Sequence, residues 1–536
     1  MKRLLQKLRG HFGGVNSLIL ILYTTFVVAA QAFHDPGVSV GGFVAVSLGA
    51  LLLMAVLGPI VLRLLSRLNA CPRTGETKDS MLKRILVNGC FYLIPLAVFM
   101  VYFIACFPGG FSDDSFNQYI QAVDNQYNDW HPVLHTLLAF KLPLTLTGGW
   151  IGSVVLVQSL CFCGVIGYTC QVIRKHFGIL PAAITMAWIL LNPLVMLTSM
   201  HPWKDVGFAI CALLLVTYAL QTVVSKGTWM RRPVNMGCFV VVAVMTSIFR
   251  HNGILFTAPV IVAMALCLSW KRALALCLST LLLFVTVKGP VYSLIGVESP
   301  EQRQVETLGL PIAVIGAVAT ENPEQLDEET RTFVERIAPL EVWQAEYEFG
   351  NFNSIKYADG VNLDVIEEYG TGEVLSMMLR CIGKSPATAI RSIIELTGRL
   401  YCLKDADTGF TYPRVVGNYY DIKQTPNMTL IKLCKVYAQT VAKYLAPVFM
   451  SLGIMHLILV AFLAAKMHWK RKQDWTKLLI VLGVLCYNFG SGLLLSAWAD
   501  IFRFFFYTFP LMPVLILVLC CNHDERSRPL FGWRKK

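Results

Sequence analysis

Long apolar stretches without charged side chains constrain this chain more than any other feature of its sequence. Residues 85–107 contain no charged side chain, and a helix of roughly 20 apolar residues spans the hydrocarbon core of a bilayer. Only 15% of the residues are charged and the mean hydropathy is +0.58, whereas soluble domains carry roughly 25% charged residues. The sequence therefore predicts an all-α polytopic membrane protein, because in lipid the backbone must satisfy its own hydrogen bonds.

About twelve stretches have the length and apolar character of membrane-spanning helices. The first follows several basic residues, as the core of a secretory signal would. No cleavage site of small residues comes after it, so we expect it to be retained as a span. The predicted spans cover residues 16–34, 40–62, 85–107, 150–173, 178–198, 205–224, 234–249, 253–269, 273–295, 441–465, 478–497 and 502–521.

The net charge of +13 is distributed in a way that indicates membrane topology and not nucleic-acid binding. Basic residues gather in alternate loops, which is typical of cytoplasmic loops and also attracts anionic membrane lipid. We therefore predict a multi-pass protein of the cell membrane with both termini in the cytoplasm, membrane lipid as a partner and no nucleic-acid partner. The basic segments are 63–84, 174–175, 226–232, 271–272, 466–477 and 534–536.

The same charge rule divides the chain into four predicted parts. A crossing at residues 132–148 would place Arg174 and Lys175 outside, so this segment is predicted to be a short interfacial helix within one outer loop, 108–149. The composition of residues 296–440 is typical of a soluble domain, which we expect to be extracytoplasmic, mixed and mainly helical. The parts are 1–84 with two leading spans and a basic loop, 85–295 as the membrane core that carries the site, 296–440 as the outer domain, and 441–536 with the last spans and a basic tail.

Neither the cysteines nor the histidines predict a metal site. Most of the 16 cysteines lie inside predicted spans, where cysteine behaves as a small apolar residue, while Cys381 and Cys402 in the outer domain could form a disulfide. His131 and His135 are four residues apart on one helical face, but no third ligand is apparent. We predict no cofactor, and a divalent metal stays an open alternative.

Five polar patches fall at the predicted outer ends of the spans, where ionisable groups usually have a functional reason. Almost all other Lys and Arg residues of short loops are on the predicted cytoplasmic side, so Lys204, Arg250 and Arg503 are exceptions. The patches are Phe111-Ser112-Asp113-Asp114-Ser115, Asn128-Asp129-Trp130-His131-Pro132, His201-Pro202-Trp203-Lys204-Asp205, Arg250-His251-Asn252-Gly253 and Trp498-Ala499-Asp500-Ile501-Phe502-Arg503.

These patches combine two kinds of chemistry. Arg and Lys match phosphate oxygens through charge-assisted hydrogen bonds, which suits a lipid-linked phosphate. A carboxylate can act as the general base toward an acceptor hydroxyl or amine. Adjacent Asp113 and Asp114 repel one another, so one of them is expected to titrate above the usual range.

Each patch also has a simpler structural interpretation. The adjacent aspartates could cap a loop helix. Tryptophans line the membrane–water boundary of many membrane proteins, and long basic side chains extend to the head groups by snorkelling. These alternatives apply to Trp130, Trp203, Arg503 and, nearby, Lys288.

The order of these elements resembles the GT-C superfamily of membrane glycosyltransferases, which use polyprenyl- or dolichyl-phosphate sugars and include the protein O-mannosyltransferase and aminoarabinose transferase types. In that superfamily an acidic residue follows a span in the first large outer loop, and a His-Pro or Pro-Pro element introduces a short interfacial helix. The combination of patches looks closer still to a bacterial multipass family without a firm biochemical assignment. The corresponding residues are 112–115, 130–134 and, for a late Arg-Tyr/Phe element, 500–504 with Pro510 and Pro513.

The resemblance covers roughly residues 85–295 and 441–521, and it implies sugar transfer from a polyprenyl-phosphate-linked donor to an acceptor at the extracytoplasmic face, with inversion. It implies Asp114 as the catalytic base, with Asp113 as the alternative. The outer loop has no Asp-x-Asp element, which weakens the case for an essential metal. The implied donor-phosphate residues are His131, Lys204, Arg250 and Arg503, and the implied substrate pocket comprises Trp130, His201, Trp203, Asp205, His251, Asn252 and Asp500.

Three other functions stay open at this point. About twelve spans is a common count among carriers, so a transporter or lipid-linked-glycan flippase is the main alternative, although carriers bind substrate near the bilayer midplane and often show inverted repeats. A polymerase or ligase of cell-envelope glycans would share the lipid-linked donor. A membrane scaffold would tolerate alanine at Asp113, Asp114 and Arg250.

Overall fold

The computed structural model describes residues 14–34, 40–72, 80–299, 305, 307–401, 403, 411–494 and 501–522. Within these ranges the chain is helical and forms no β-strand beyond isolated bridges. Nine helices there are long and apolar enough to cross a membrane. The chain is an all-α polytopic membrane protein, as the sequence predicted.

Three further apolar helices lie where the sequence predicted spans, namely Ile179–Leu190, Pro233–Ile248 and Ile254–Leu266. Each is shorter than the roughly 20 residues that a crossing needs, so the count of twelve spans stays a prediction. The predicted interfacial segment forms the short apolar helix Val133–Leu146. Its length fits a position on the membrane surface.

The helices fall into three groups along the chain. The membrane part contains Val15–His34, Val40–Ser66, Met81–Ala105, Gly152–Phe177, Ile179–Leu190, Pro193–Thr198, Lys204–Val224, Pro233–Ile248, Ile254–Leu266, Trp270–Thr286, Tyr292–Leu294, Met428–Phe449, Leu452–Lys466, Lys472–Leu494, Ile501–Phe505 and Thr508–Cys520. The first large loop contains Asp113–Asp124, Val133–His135 and Leu142–Leu146. The outer segment contains Gly309–Glu321, Glu328–Ile337, Leu340–Glu346, Phe352–Lys356, Asp364–Lys384 and Pro386–Thr397. Two π-helices, Thr136–Lys141 and Val287–Val291, and three 3-10 turns, Trp229–Arg231, Pro323–Gln325 and Gly398–Leu400, complete the described elements.

The helix Lys204–Val224, called the central span below, is the most deeply buried of the nine long helices. It packs against Gly152–Phe177, Pro233–Ile248 and Thr508–Cys520. By contrast, the spans Gly41–Ser66 and Trp270–Leu294 leave most of their surface uncovered, as helices that face lipid do. The central span is therefore the axis around which the other helices are arranged.

Polar and small residues hold neighbouring spans together, because the hydrophobic effect does not drive helices together within lipid. The hydroxyls of Thr169 and Thr217 form a hydrogen bond of 2.8 Å between two spans. A Cβ at Gly483 would lie 2.7 Å from the carbonyl oxygen of Phe256. Glycine at this position therefore allows Lys472–Leu494 to approach its neighbour closely.

The outer segment has a hydrophobic cluster separate from that of the spans. Its helices surround Gly309–Glu321, which is almost entirely buried. Phe333 and Trp343 are fully buried against it, and the indole nitrogen of Trp343 donates to the carbonyl oxygen of Val334 at 3.1 Å. These residues build a small helical core beside the membrane part.

Two isolated bridges tie the first large loop to the segments that flank the outer helices. One joins Phe111 to Val415, and the other joins Asn128 to Glu298. The first bridge lies directly before the helix Asp113–Asp124, and the second lies directly before the turn that leads into Val133. The two loop segments that carry the predicted acidic and His-Pro elements are thus anchored to backbone segments outside the loop.

Candidate functional site

Four charged side chains from four of the predicted patches form one continuous chain of ion pairs. Arg503 binds the Asp114 carboxylate and also, through Nε at 2.8 Å, the Oδ2 atom of Asp205. The other carboxylate oxygen of Asp205 pairs with Arg250. Residues as far as 389 positions apart in sequence therefore meet at one end of the central span.

Burial differs strongly along this chain of ion pairs. The side chain of Asp205 is 1% exposed, that of Arg250 4% and that of Arg503 11%. Asp114 is 34% exposed. A buried charge that loses its partner costs roughly 3–5 kcal/mol, so the three inner side chains fix one another, and Asp114 is the accessible end.

The ends of two helices place the inner charges. Asp205 lies in the first turn of the central span, where free backbone N–H groups and the helix dipole favour a carboxylate. Arg250 comes directly after Pro233–Ile248 and its C-cap, and its guanidinium lies 4.7 Å from the centre of the Phe504 ring. The Asp205 carboxylate is thus neutralised by groups of the protein and not by solvent.

Trp203 is the surface on which Arg503 lies. The Arg503 guanidinium is 4.6 Å from the centre of the Trp203 indole, a cation–π contact. The indole nitrogen donates to Oγ of Ser112 at 2.9 Å, and the His201 ring stacks on the indole with 3.9 Å between ring centres. Ser112 precedes its helix but forms no side-chain cap with it, so the first predicted patch contributes an acceptor for Trp203 instead.

His201 belongs to the scaffold beneath the site. Its Nδ1 atom donates to the carbonyl oxygen of Leu197 at 3.2 Å. Burial lowers the pKa of His201 to about 3, so the ring is neutral at physiological pH. A Cβ at Gly110 would collide with this ring, and the close approach of the two segments therefore requires glycine.

Lys204 and His131 extend the chain of charges on the side of Asp114. The Lys204 ammonium group donates to Nδ1 of His131 at 2.9 Å. Because an ammonium group cannot accept a hydrogen bond, Nδ1 is unprotonated, and the ring carries its proton on Nε2, which lies 3.8 Å from Asp114 Oδ1. Burial lowers the pKa of His131 well below its usual value, and the charge of Lys204 lowers it further. His131 therefore presents a neutral N–H group to Asp114.

Asp114 is ionised despite its partial burial. Burial alone would raise its pKa, but the positive charges of Arg503 and Lys204 outweigh this effect and hold the pKa well below the usual range. The repulsion expected between adjacent aspartates therefore does not govern Asp114. Asp113 is exposed in the first helical turn, where the helix dipole favours it, and it has no ion pair with any residue in the described ranges.

Six residues, called the ionic cluster below, are thus joined by direct contacts. All of them were predicted as site residues from the sequence. The members of the ionic cluster are Asp114, His131, Lys204, Asp205, Arg250 and Arg503.

Two other predicted pocket residues, Trp130 and His251, lie on the flank of the ionic cluster. The Trp130 side chain is exposed, and its backbone carbonyl accepts a hydrogen bond of 3.4 Å from Nε2 of His251. Burial lowers the pKa of His251 to about 4, so its ring is also neutral. The Trp130 indole is therefore free to contact a ligand or lipid.

Asn252 supports the ionic cluster. Its Nδ2 atom donates to Oγ of Ser491 at 2.5 Å, and its Oδ1 atom accepts from Nε of Arg250 at 3.5 Å.

Two further predictions, the pocket residue Asp500 and the disulfide partner Cys402, lie outside the described residues.

One ion pair near the ionic cluster, between Lys288 and Asp129, was not predicted from the sequence. Lys288 Nζ lies 2.7 Å from Asp129 Oδ2 and 4.9 Å from the centre of the Tyr292 ring. The ammonium group of Lys288 therefore has a carboxylate partner in the first large loop, which the snorkelling interpretation did not include. The available signal was that Lys288 is the one charged residue in the predicted span 273–295, and isolated charges in spans generally have partners.

The two histidines considered as metal ligands have separate partners. His135 is buried and its Nδ1 atom lies 2.7 Å from Oε1 of Gln118, whereas His131 bonds Lys204. Burial lowers the pKa of His135 to about 3. Across the part of the chain that the structure describes, no group of three or more His, Cys, Asp or Glu side chains could hold a metal ion.

Part of this chain matches one known protein family. Residues 122–360 match a family of unknown function, DUF6020. This segment includes four members of the ionic cluster but not Asp114 or Arg503. No curated protein and no solved structure matches the chain.

Proposed function

We propose that this chain is a membrane glycosyltransferase of the GT-C type, which transfers a sugar from a polyprenyl-phosphate-linked donor to an acceptor at the extracytoplasmic face of the cell membrane. The observation that carries the proposal is the contact between an accessible carboxylate, Asp114, and the guanidinium of Arg503 at the end of the central span. A general base and phosphate-binding cations thus lie within one cluster. The resemblance of the sequence elements to GT-C enzymes supplies the reaction class.

The depth of the ionic cluster supports a transferase over a carrier. Lys204 and Asp205 are the first two residues of the central span, so the charges lie at a helix end. Carriers hold their substrate near the bilayer midplane. A polyprenyl phosphate keeps its isoprenoid chain in the hydrocarbon and its phosphate at the boundary, which is the depth of a helix end.

The donor phosphate binds Arg503 and Lys204 in this proposal. Both are cations beside Asp114, and charge-assisted hydrogen bonds to phosphate oxygens are strong. Phosphate binding at Arg503 separates that guanidinium from Asp114. The pKa of Asp114 then rises, because the phosphate takes part of the stabilising positive charge of Arg503 away from the carboxylate. Asp114 therefore becomes a better base when the donor is present.

The transfer is a single displacement with inversion. The oxygen of the acceptor hydroxyl bonds to the anomeric carbon while the bond between that carbon and the phosphate oxygen breaks. The hydroxyl proton passes to Asp114, and the electron pair leaves with the lipid phosphate, whose charge Arg503 and Lys204 stabilise. The neutral Nε2–H group of His131 faces the Asp114 carboxylate at 3.8 Å.

Arg250 and Asp205 have a positioning role in this mechanism. Both are almost fully buried, and Asp205 bonds Nε of Arg503 at 2.8 Å. They fix the direction in which the Arg503 guanidinium points. Preorganised charge of this kind stabilises a transition state without reorganisation at the moment of reaction.

The test is donor turnover in membranes that contain the full chain and native acceptors. We expect wild-type membranes to release polyprenyl phosphate from at least one sugar in a panel of polyprenyl-phosphate-linked donors. The Asp114→Asn variant should lower this rate by about 10²–10⁴-fold, the usual contribution of positioned acid–base groups. The substitution keeps the shape of the side chain and removes the basic oxygen.

Asp124→Asn is the matched control for this experiment. Asp124 ends the same helix and is exposed, so its variant should keep the wild-type rate. Equal rates for Asp114→Asn and wild type would exclude Asp114 as the base. If wild-type membranes release no polyprenyl phosphate from any donor of the panel, the transferase proposal fails.

A further inference from the structure

A cavity of about 280 Å³ lies at the other end of the central span from the ionic cluster. It is lined by residues of the last turn of Lys204–Val224, the end of Ile254–Leu266 and the start of Lys472–Leu494. A helix rises about 1.5 Å per residue, so the central span separates the two sites by roughly the thickness of the hydrocarbon core. The cavity is therefore at the opposite membrane face.

The charge in this cavity has one sign. Its lining includes three lysines, Lys226, Lys472 and Lys477, and no carboxylate. Lys477 is partly satisfied, since its ammonium group donates to the carbonyl oxygen of Cys521 at 2.7 Å and lies 3.5 Å from Asp474. Lys226 and Lys472 are exposed and form no ion pair with a described residue. The positive charges of Lys226 and Lys472 are therefore available to an anion that enters the cavity.

The backbone holds Lys226 in an unusual conformation. Its φ angle is +51°, a left-handed value that residues other than glycine seldom adopt. The next residue, Gly227, has a φ of +84°, and a Cβ there would lie 2.5 Å from the carbonyl oxygen of Cys267. The loop is therefore packed tightly against the neighbouring helix end, and Lys226 is placed at the cavity by that packing.

The wall of the cavity is amphipathic. Val223 and Leu266 line it together with the lysines, and both belong to apolar helices that end at this membrane face. A soluble phosphate ester would use only the ammonium groups. A phospholipid would also place an acyl chain against the apolar side chains, which gains further free energy from burial.

We propose that this cavity, called the lysine cavity below, binds the phosphate headgroup of an anionic phospholipid. The lysines supply point charges for the phosphate, and basic pockets between membrane helices are a known way of holding anionic headgroups. The ligand is a component of the bilayer. The inference does not depend on the proposed glycosyl transfer.

The experiment is native mass spectrometry of the full chain purified in detergent, titrated with phosphatidylglycerol or with zwitterionic phosphatidylcholine. We expect one phosphatidylglycerol to bind in preference to phosphatidylcholine. The double variant Lys226→Ala/Lys472→Ala should bind phosphatidylglycerol about 30-fold more weakly, since each lysine near a membrane surface contributes a factor of roughly five. Equal binding of both lipids by the wild type would overturn the proposal.

The double variant Lys83→Ala/Lys175→Ala is the matched control. Lys175 is exposed at the end of Gly152–Phe177, which runs parallel to the central span because residue 158 contacts residue 201 and residue 169 contacts residue 217. Lys83 is exposed in the first turn of Met81–Ala105. A hydrogen bond of 2.7 Å from Arg174 to Oδ1 of Asn88 places this part of the helix beside the same end of Gly152–Phe177. The control therefore removes two lysines from the same membrane face outside the cavity.

The outcomes separate a specific lipid site from general surface charge and from a site for soluble phosphate esters. If both double variants lose phosphatidylglycerol equally, general surface charge causes the binding and the lysine cavity is not a specific site. A third titration uses glycerol 3-phosphate as the soluble headgroup. If it displaces phosphatidylglycerol at equal concentration, the cavity is a site for soluble phosphate esters and the lipid assignment is wrong. Failure to displace it, with loss confined to the cavity variant, supports the proposal.

Discussion

The central span ends in two charged regions that are built in opposite ways. The ionic cluster contains charges of both signs, and Asp205, Arg250 and Arg503 are at most 11% exposed. The lysine cavity has charges of one sign, and Lys226 and Lys472 are exposed. In the first region the protein supplies both partners of each ion pair, whereas in the second Lys226 and Lys472 have no carboxylate partner among the described residues.

This difference predicts that the two regions contribute differently to stability. Removal of one member of a buried, compensated cluster leaves an unpaired charge in a medium that solvates it poorly. Removal of an exposed lysine from a group of like charges relieves repulsion. We therefore expect folding to depend strongly on the ionic cluster and weakly on the lysine cavity.

The largest expected effect on stability is that of Asp205→Asn. This change leaves the buried Arg250 without a carboxylate, since Asp205 is its ion-pair partner. The expected loss is about 3–5 kcal/mol of unfolding free energy, measured by thermal unfolding of the purified protein in detergent. The variant Lys226→Ala/Lys472→Ala, by comparison, should stay within about 0.5 kcal/mol of wild type.

A double variant tests whether the unpaired charge is the cause. Asp205→Asn/Arg250→Met removes both charges, and replacement of a buried pair by neutral groups is often close to neutral in stability. Most of the stability lost in Asp205→Asn should return. If the double variant is as unstable as Asp205→Asn alone, the loss comes from packing and the contrast between the two regions is not electrostatic.

The next effect is a dependence of stability on pH that arises from a buried histidine beneath the ionic cluster. The pKa of buried His201 is lowered to about 3, while an unfolded histidine has a pKa of about 6.5. Below pH 6.5 the unfolded chain takes up a proton that the folded chain does not, so acidification favours unfolding. Between pH 7.5 and 5 this group should cost on the order of 1–2 kcal/mol.

The variant His201→Phe measures this contribution. Phenylalanine keeps a ring that can stack on Trp203 but does not titrate. Its melting temperature should fall less between pH 7.5 and 5 than that of the wild type. An unchanged slope would show that the folded chain protonates His201 as readily as the unfolded chain does.

The positions of the spans could be predicted because charge-free apolar length is a property of the sequence alone. The predicted span 205–224 corresponds to Lys204–Val224. The predicted span 178–198 is instead broken, because Asn192 caps a new helix that begins with Pro193. An Asn-Pro pair is a helix-start signal, which the apolar composition of the segment concealed.

The membership of the ionic cluster could be predicted, but its pairing could not. Lys204, Arg250 and Arg503 stood out because their sequence positions conflict with the cytoplasmic clustering of other basic residues. Which carboxylate each of them meets depends on the rotation of each helix about its axis. Composition does not determine that rotation, so neither the two contacts of Asp205 nor the Lys288–Asp129 pair was foreseen.

The smallest expected effect distinguishes two adjacent residues within the site end. Asp113 is exposed and Asp114 is held by Arg503, although both begin the same helix. Successive residues of a helix point about 100° apart, so one faces solvent and the other faces the cations. Asp113→Asn should therefore lower donor turnover by no more than about fivefold, because a solvated charge changes the energy of a nearby charge by less than roughly 1 kcal/mol. A loss as large as that of Asp114→Asn, in a protein of unchanged melting temperature, would transfer the base assignment to Asp113 and separate the reaction from the ion pair with Arg503.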